Sequence, residues 1–185
     1  WKNKGVCKRG RLNCLPLSLR LNFIMKLFLL RHAKSAWRSF ENDHDRALSE
    51  RGVRDAKTLA EHIANSQISF NKILCSTARR TKETLKIIKE NSSYAFKDIN
   101  YTETLYHASE SIMRDLIEET QTDSLLIVSH NPSISGMISY LSGSQVYNFP
   151  TCVFACFSLN KKNIDKDVKT EYIIRPKEGK ITSLV

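Results

Sequence analysis

The strongest constraint on this chain is a pattern that occurs twice: a short, unbroken apolar run that stops abruptly at a polar residue followed by histidine. Leu27-Phe28-Leu29-Leu30 runs into Arg31-His32, and Leu125-Leu126-Ile127-Val128 runs into Ser129-His130. Runs this short do not make a buried helix, and they lack the alternation of a strand with one wet face, so they read as strands buried on both faces of a sheet. Between them the apolar period changes to that of a helix. Val53, Ala56, Leu59, Ala60 and Ile63 follow Leu48-Ser49-Glu50-Arg51-Gly52, with Ser49 placed as N-cap. Lys72-Ile73-Leu74-Cys75 is a second strand, followed by the cap candidates Ser76 and Thr77 and a helix to about Lys89, whose first turn holds Arg79 and Arg80. Ile99 to Tyr101 gives a third strand; Ile112, Met113, Leu116 and Ile117 give an amphipathic helix; Pro132 is placed to begin another. Past Gly143, the β-like stretches Cys152 to Leu159 and Glu171 to Ile174 flank the polar segment 160–169 and predict strands at a sheet edge. Strands alternating with helices specify an α/β, three-layer α/β/α architecture around a mostly parallel sheet. In such sheets ligands sit beyond the C-terminal ends of the strands, where this sequence puts Arg31, His32, Arg80 and His130.

The chain's 185 residues suit one domain with a real core. A net charge of +10 resembles a nucleic-acid signal until it is located: residues 1–24 hold six Lys and Arg and no acid, which leaves +4 for everything after them. That remainder fits an anion-binding cleft better than a duplex-binding face, so nucleic acid is not the expected partner. The acid-free first 24 residues form a basic extension outside the fold, with the domain spanning 25–185. Met25 is the expected start of translation, the rival reading being a basic organelle-targeting segment. No apolar run reaches the about 18 residues that cross a bilayer. Cys7, Cys14, Cys75, Cys152 and Cys156 include no C-x-x-C pair and no zinc-ligand spacing, so no metal or other cofactor is expected. Their odd number fits reduced thiols in the cytoplasm, with Cys152 and Cys156 packing from one strand face.

Two histidines and at least two arginines at strand ends make a cationic, hydrogen-bond-donating pocket suited to a phosphoryl group. A neutral imidazole attacks phosphorus through one ring nitrogen while the other keeps its proton, and that attack is assigned to His32. Arg31 and Arg80 supply bidentate donors to the equatorial oxygens without a metal, and His130 adds a further hydrogen bond. One histidine after a strand is ordinarily a hydrogen-bonded loop residue; two at matching topological positions are not. Arg79 and Arg80 oppose the dipole of the helix they begin, so anion binding explains them better than helix stability does. His44, His62 and His107 read as ordinary surface or interface histidines.

These residues resemble the histidine phosphatase superfamily, and within it the SixA-type phosphohistidine phosphatases, from Met25 to about Lys180. "LFLLRHAKSAW" is similar to the family's Arg-His nucleophile motif, and "LSERG" to the segment that leads into the first helix. "CSTARRTKET" resembles its Ser-x-x-x-Arg-Ala-x-Gln-Thr stretch and aligns Arg80, rather than Arg79, with the phosphate-binding arginine, with Thr81 and Glu83 where the family has Ala and Gln. "VSHNP" is similar to the second-histidine motif at His130. The resemblance implies a phosphoglycerate mutase-like fold, a metal-independent hydrolase with a phosphohistidine intermediate, and the catalytic set His32, Arg31, Arg80 and His130. Lys34, Ser35, Arg79 and Asn131 join Arg31 and Arg80 as candidate substrate contacts. "RHAKSAW" lacks the Gly-x-Ser-x-x-Asn continuation of the mutases. The acidic proton donor of many superfamily phosphatases has only Glu103 as a candidate, one residue out of register. An imidazole leaving group, with an unperturbed pKa of about 6.5, needs little acid help, so the expected substrate is a phosphorylated protein histidine. A small phosphomonoester is the second enzyme reading, and a non-catalytic phosphate- or RNA-binding module the reading from another class.

Overall fold

The structure, a computed structural model, describes residues 24–37, 40–91, 96, 98–146, 148–161 and 163–185. The basic extension therefore lies outside the described residues except for Ile24, which opens the first strand, and Cys7 and Cys14 lie outside them too.

Among the described residues seven strands and four helices follow one another as β1 (Ile24–Arg31), α1 (Glu50–Asn65), β2 (Lys72–Ser76), α2 (Arg79–Asn91), β3 (Ile99–Thr102), α3 (Glu110–Glu119), β4 (Ser124–Ser129), α4 (Ser133–Ser142), β5 (Phe154–Asn160), β6 (Lys169–Lys177) and β7 (Lys180–Ser183). They form one sheet in the order β3-β2-β4-β1-β5-β6-β7. The four strands β3, β2, β4 and β1 are mutually parallel, and β5, β6 and β7 extend the sheet antiparallel. The sheet is thus a parallel core with an antiparallel flank, and β7 adds to the edge pair expected from the sequence. Cys152 precedes β5 in a turn with φ of 61°, so it is not part of the strand expected to start there; it still shares one core cluster with Cys156.

The continuous apolar runs are explained by two cores. Met25, Leu27 and Leu29 of β1 pack with Met113 and Ile117 of α3 and Ile134, Met137 and Ile138 of α4. Phe28 and Leu30 point to the other face, against Ala56, Leu59, Ala60 and Ile63 of α1 and Leu85 and Ile88 of α2. Both parities of the strand are buried, which removes the alternation and produces the three layers. Cys75, Cys152 and Cys156 are free buried thiols, and burial pushes Cys75 up to about 12.

Candidate active site

Register brings the motifs together. Arg31 of β1 pairs with Ser129 of β4, and Cys75 of β2 with Val128, so Ser76, Ser129 and Arg31 end three adjacent strands at one level, and His130 and His32 follow directly. The backbone amide of His32 donates to the Ser129 carbonyl at 3.1 Å, which holds the two exits side by side. The imidazoles of His32 and His130 lie 5.1 Å apart, centre to centre, each only 7% exposed.

The two rings are held differently. His32 Nδ1–H donates to the carbonyl of Ala33 at 2.7 Å. A carbonyl only accepts, so the proton sits on Nδ1 and the lone pair on Nε2. Burial, reinforced by the charges of Arg80, Arg31 and Arg46, pushes this imidazole down to about 3, against the raising effect of its bond to Ala33. Burial likewise takes His130 down to about 2, with His32 and Arg80 adding to it. Both rings are neutral at pH 7. His130 Nε2 bonds Ser76 Oγ at 2.8 Å, while its Nδ1 is buried with no partner among the described residues.

The segment after His32 is pinned from two sides. The Ala33 amide donates to Thr84 Oγ1 at 3.1 Å, and Thr84 Oγ1 itself donates to the Arg80 carbonyl at 2.6 Å. The Lys34 carbonyl accepts from both the amide (2.9 Å) and the hydroxyl (3.0 Å) of Ser49, whose Oγ caps α1 by accepting from Gly52 N at 3.1 Å. Gly52 is required for this approach, since a Cβ there would fall 2.1 Å from the Lys34 carbonyl oxygen. The Leu-Ser-Glu-Arg-Gly segment is the clamp that fixes the loop following His32.

Arg31 and Arg80 are also restrained. Arg31 Nη1 donates to the Phe149 carbonyl at 2.6 Å, with Asn148 Oδ1 at 3.4 Å, and its Nε is buried with no partner among the described residues. Arg80, buried in the first turn of α2, gives Nη2 to Asp43 Oδ2 at 2.9 Å and Nη1 to the Asp43 carbonyl. Asp43 begins a 3-10 turn, Asp43–Asp45. Its carboxylate also accepts from Arg46 Nη1 at 3.0 Å and Tyr106 Oη at 2.9 Å. Desolvation tends to raise this acid, but the three donors outweigh it and hold Asp43 well below the usual carboxylate range. Arg46 donates onward to Ser35 Oγ at 2.8 Å, and the Tyr106 ring lies 5.6 Å from His130, edge-on.

Of the residues expected from sequence, His32, His130, Arg31 and Arg80 are brought together, and Ser35 is tied to them through Arg46. The other three stand apart. Arg79 is half-exposed and paired with Glu83 at 2.7 Å along the outside of α2. Lys34 engages only its backbone carbonyl, with Ser49 at the start of α1, and is itself exposed. Asn131 spends its amide on Asn148 Oδ1 (2.7 Å) and the Phe149 carbonyl (3.3 Å), the two acceptors Arg31 uses, so it buttresses the loop that orients that arginine. Glu103 is exposed at the start of a 3-10 turn whose next residues bring Tyr106 to the pocket. Asp43, Arg46, Tyr106 and Thr84 were not singled out in the sequence. Only Thr84 carried a signal, as the final residue of the "CSTARRTKET" stretch.

A family model described as the histidine phosphatase superfamily (branch 1) matches residues 27–106, from β1 through the turn that carries Tyr106. An uncharacterised protein of Mycobacterium leprae, ML1117, is 39% identical over 126 residues, 64% of this chain and 74% of that one. The chain belongs to the histidine phosphatase superfamily. Within it the chain is SixA-type: a crystal structure assigned as the phosphohistidine phosphatase SixA of Agrobacterium tumefaciens superposes with a TM-score of 0.73 at 28% identity, over 82% of this chain and 98% of that one. The protein histidine phosphatase SixA complexed with tungstate shares the fold at a TM-score of 0.67 and 19% identity, over 82% of this chain and 97% of that one. This superfamily phosphatase therefore has the mutase-like α/β fold, with a parallel sheet core and antiparallel edge strands.

Proposed function

We propose that this phosphatase hydrolyses phosphorylated histidine on a protein, in two steps through a phosphoryl group carried on His32. The observation that carries the reading is the state of the His32 imidazole. It is neutral, its Nδ1 proton is committed to Ala33, and its Nε2 lone pair stands unprotonated among Arg31, Arg80 and Arg46. In the first step Nε2 forms a bond to phosphorus as the bond to the substrate's ring nitrogen breaks, and the substrate, whose other ring nitrogen carries the proton, leaves as neutral imidazole. Arg80, Arg31 and His130 stabilise charge on the equatorial oxygens. The buried, unpartnered N–H of Arg31 Nε and the Nδ1 of His130 are groups that phosphoryl oxygens satisfy. In the second step water attacks phosphorus, the bond to Nε2 breaks, and phosphate leaves the neutral imidazole behind.

The acid chemistry supports the choice of substrate. The carboxylate that reaches the pocket, Asp43, is held ionised by three donors and is a poor proton donor at neutral pH. Glu103 is exposed on its turn. A sugar alkoxide leaves poorly without such a donor, whereas an imidazole leaves readily. We take residues 25–185 as the catalytic domain and the cytoplasm as its compartment, the latter to be checked by fractionation of cells expressing the full chain. Among the described residues no helix is long and apolar enough to cross a membrane. The decisive comparison is turnover of a phosphohistidine peptide against a panel of sugar phosphates. Preference for the peptide, abolished by His32→Ala, is the expected result; equal or faster turnover of a sugar phosphate would refute the substrate, and activity retained by His32→Ala would refute the mechanism.

A further inference from the structure

We infer that Ser76 is a positioning residue that fixes the tautomer of His130, forcing its proton onto Nδ1 so that this atom is the donor presented to the phosphoryl group. Ser76 is the last residue of β2 and fully buried, and its Oγ lies 2.8 Å from His130 Nε2. Distance alone leaves two arrangements: Ser76 donates to Nε2, or Nε2–H donates to Ser76.

The surroundings of the hydroxyl choose between them. Ser76 Oγ accepts from the amide of Ala78, at 3.5 Å. That amide directs a proton at the oxygen, so the hydroxyl's own hydrogen must point elsewhere, and the other bonded neighbour of Oγ among the described residues is His130 Nε2. Nε2 then accepts, and in a neutral imidazole the other nitrogen carries the hydrogen. His130 is kept neutral by burial, so a doubly protonated ring, which would evade the choice, is not populated near pH 7. The reverse arrangement strands two groups: a hydroxyl hydrogen with no acceptor and a bare, buried Nδ1. The chosen one leaves a single unmet group, the Nδ1–H. That is the group an oxyanion satisfies.

Backbone bonding makes the hydroxyl a fixed reference. The Ser76 carbonyl accepts from Thr81 Oγ1 at 2.8 Å, which ties the end of β2 to the first turn of α2 beside Arg80. The same turn therefore places both an arginine and the hydroxyl that orients the second histidine. A free neutral histidine prefers its hydrogen on Nε2, so loss of the hydroxyl lets the ring revert and turns a lone pair, in place of a donor, toward the phosphoryl oxygens.

The kinetic consequence rests on the phosphoryl-transfer reading above; the tautomer does not, and the two are tested separately. Nitrogen-15 spectra of histidine-labelled protein at pH 7, with His130 assigned by comparison with His130→Gln, should show a protonated Nδ1 and an unprotonated Nε2. Ser76→Ala should move the spectrum toward protonated Nε2 and lower kcat on a phosphohistidine peptide on the order of 10- to 100-fold, the range of a weakened or lost oxyanion donor, with KM changed less than kcat. Ser76→Thr, which keeps the hydroxyl, should restore both. Protonated Nε2 in the unmodified protein overturns the inference whether or not the variants fold. So does a Ser76→Ala variant that is folded, shows the shifted tautomer and keeps full kcat. Failure of the unmodified protein to hydrolyse any phosphoramidate would instead count against the function proposed above.

Discussion

Acidification from pH 7 to pH 5 should destabilise the fold, and the amount follows from the two buried imidazoles. His32 and His130 are held at about 3 and about 2 in the folded state against an ordinary 6.5 once exposed. The unfolded chain therefore binds protons that the native state refuses. Stability must fall as pH drops below 6.5, and continue to fall until the folded-state values are reached. At pH 5 each imidazole is about 1.5 pH units below its exposed value, at about 1.4 kcal/mol per unit, which gives roughly 2 kcal/mol per ring and roughly 4 kcal/mol for the pair. Against a typical total of about 5–15 kcal/mol this is a large fraction. Asp43, held low by its donors, begins to lose its pairing only in stronger acid; His62, which burial also lowers, adds to the loss in both proteins, so the difference between them isolates His32 and His130. Urea unfolding at both pH values, monitored by far-ultraviolet circular dichroism and repeated on a His32→Gln/His130→Gln variant, measures the difference. A loss of about 4 kcal/mol that shrinks sharply in the double variant is expected. A loss under about 1 kcal/mol, or equal losses in both proteins, would show that the imidazoles titrate normally and would refute their being buried and neutral.

Gly52→Ala places a methyl against the Lys34 carbonyl and should cost about 3 kcal/mol by thermal unfolding, with loss of phosphatase activity because the displaced loop follows His32. Thr84→Val leaves the Ala33 amide unpaired and should cost about 1–3 kcal/mol, again by unfolding, with a matching fall in kcat. Arg80→Lys removes the fork held by Asp43 and should lower kcat/KM about 100-fold in steady-state assays, whereas Arg79→Lys should leave it within about twofold.

The core of this fold was legible because its strands are buried on both faces. β1 and β4 appear in the sequence as solid apolar blocks, and their C-terminal ends mark the pocket by the abruptness of the change to Arg31-His32 and Ser129-His130. The edge was harder. β7 has only Ile181 packed against the core and is exposed along much of its length, so it carries neither an apolar block nor a clear alternation. The histidine and arginine pairs could be read because they sit at strand ends and in the first turn of a helix, positions a sequence marks. Asp43 could not. It lies in a polar loop, and its task arises only when tertiary folding closes that loop over Arg80 and Tyr106. Asn131 and Arg79 look like substrate ligands by position, and what position does not reveal is that the amide of the first is bonded to the loop at Asn148 and the guanidinium of the second to Glu83 one turn along α2.

The most direct test is to ask where phosphate rests during turnover. Brief reaction of the protein with a labelled phosphoramidate, quenching in alkali and peptide mapping should find one phosphoryl group, labile to acid and stable to base, on His32, and none in His32→Ala. Label on any other side chain, or turnover with no trapped phosphoryl group under conditions that stabilise phosphohistidine, would contradict the account.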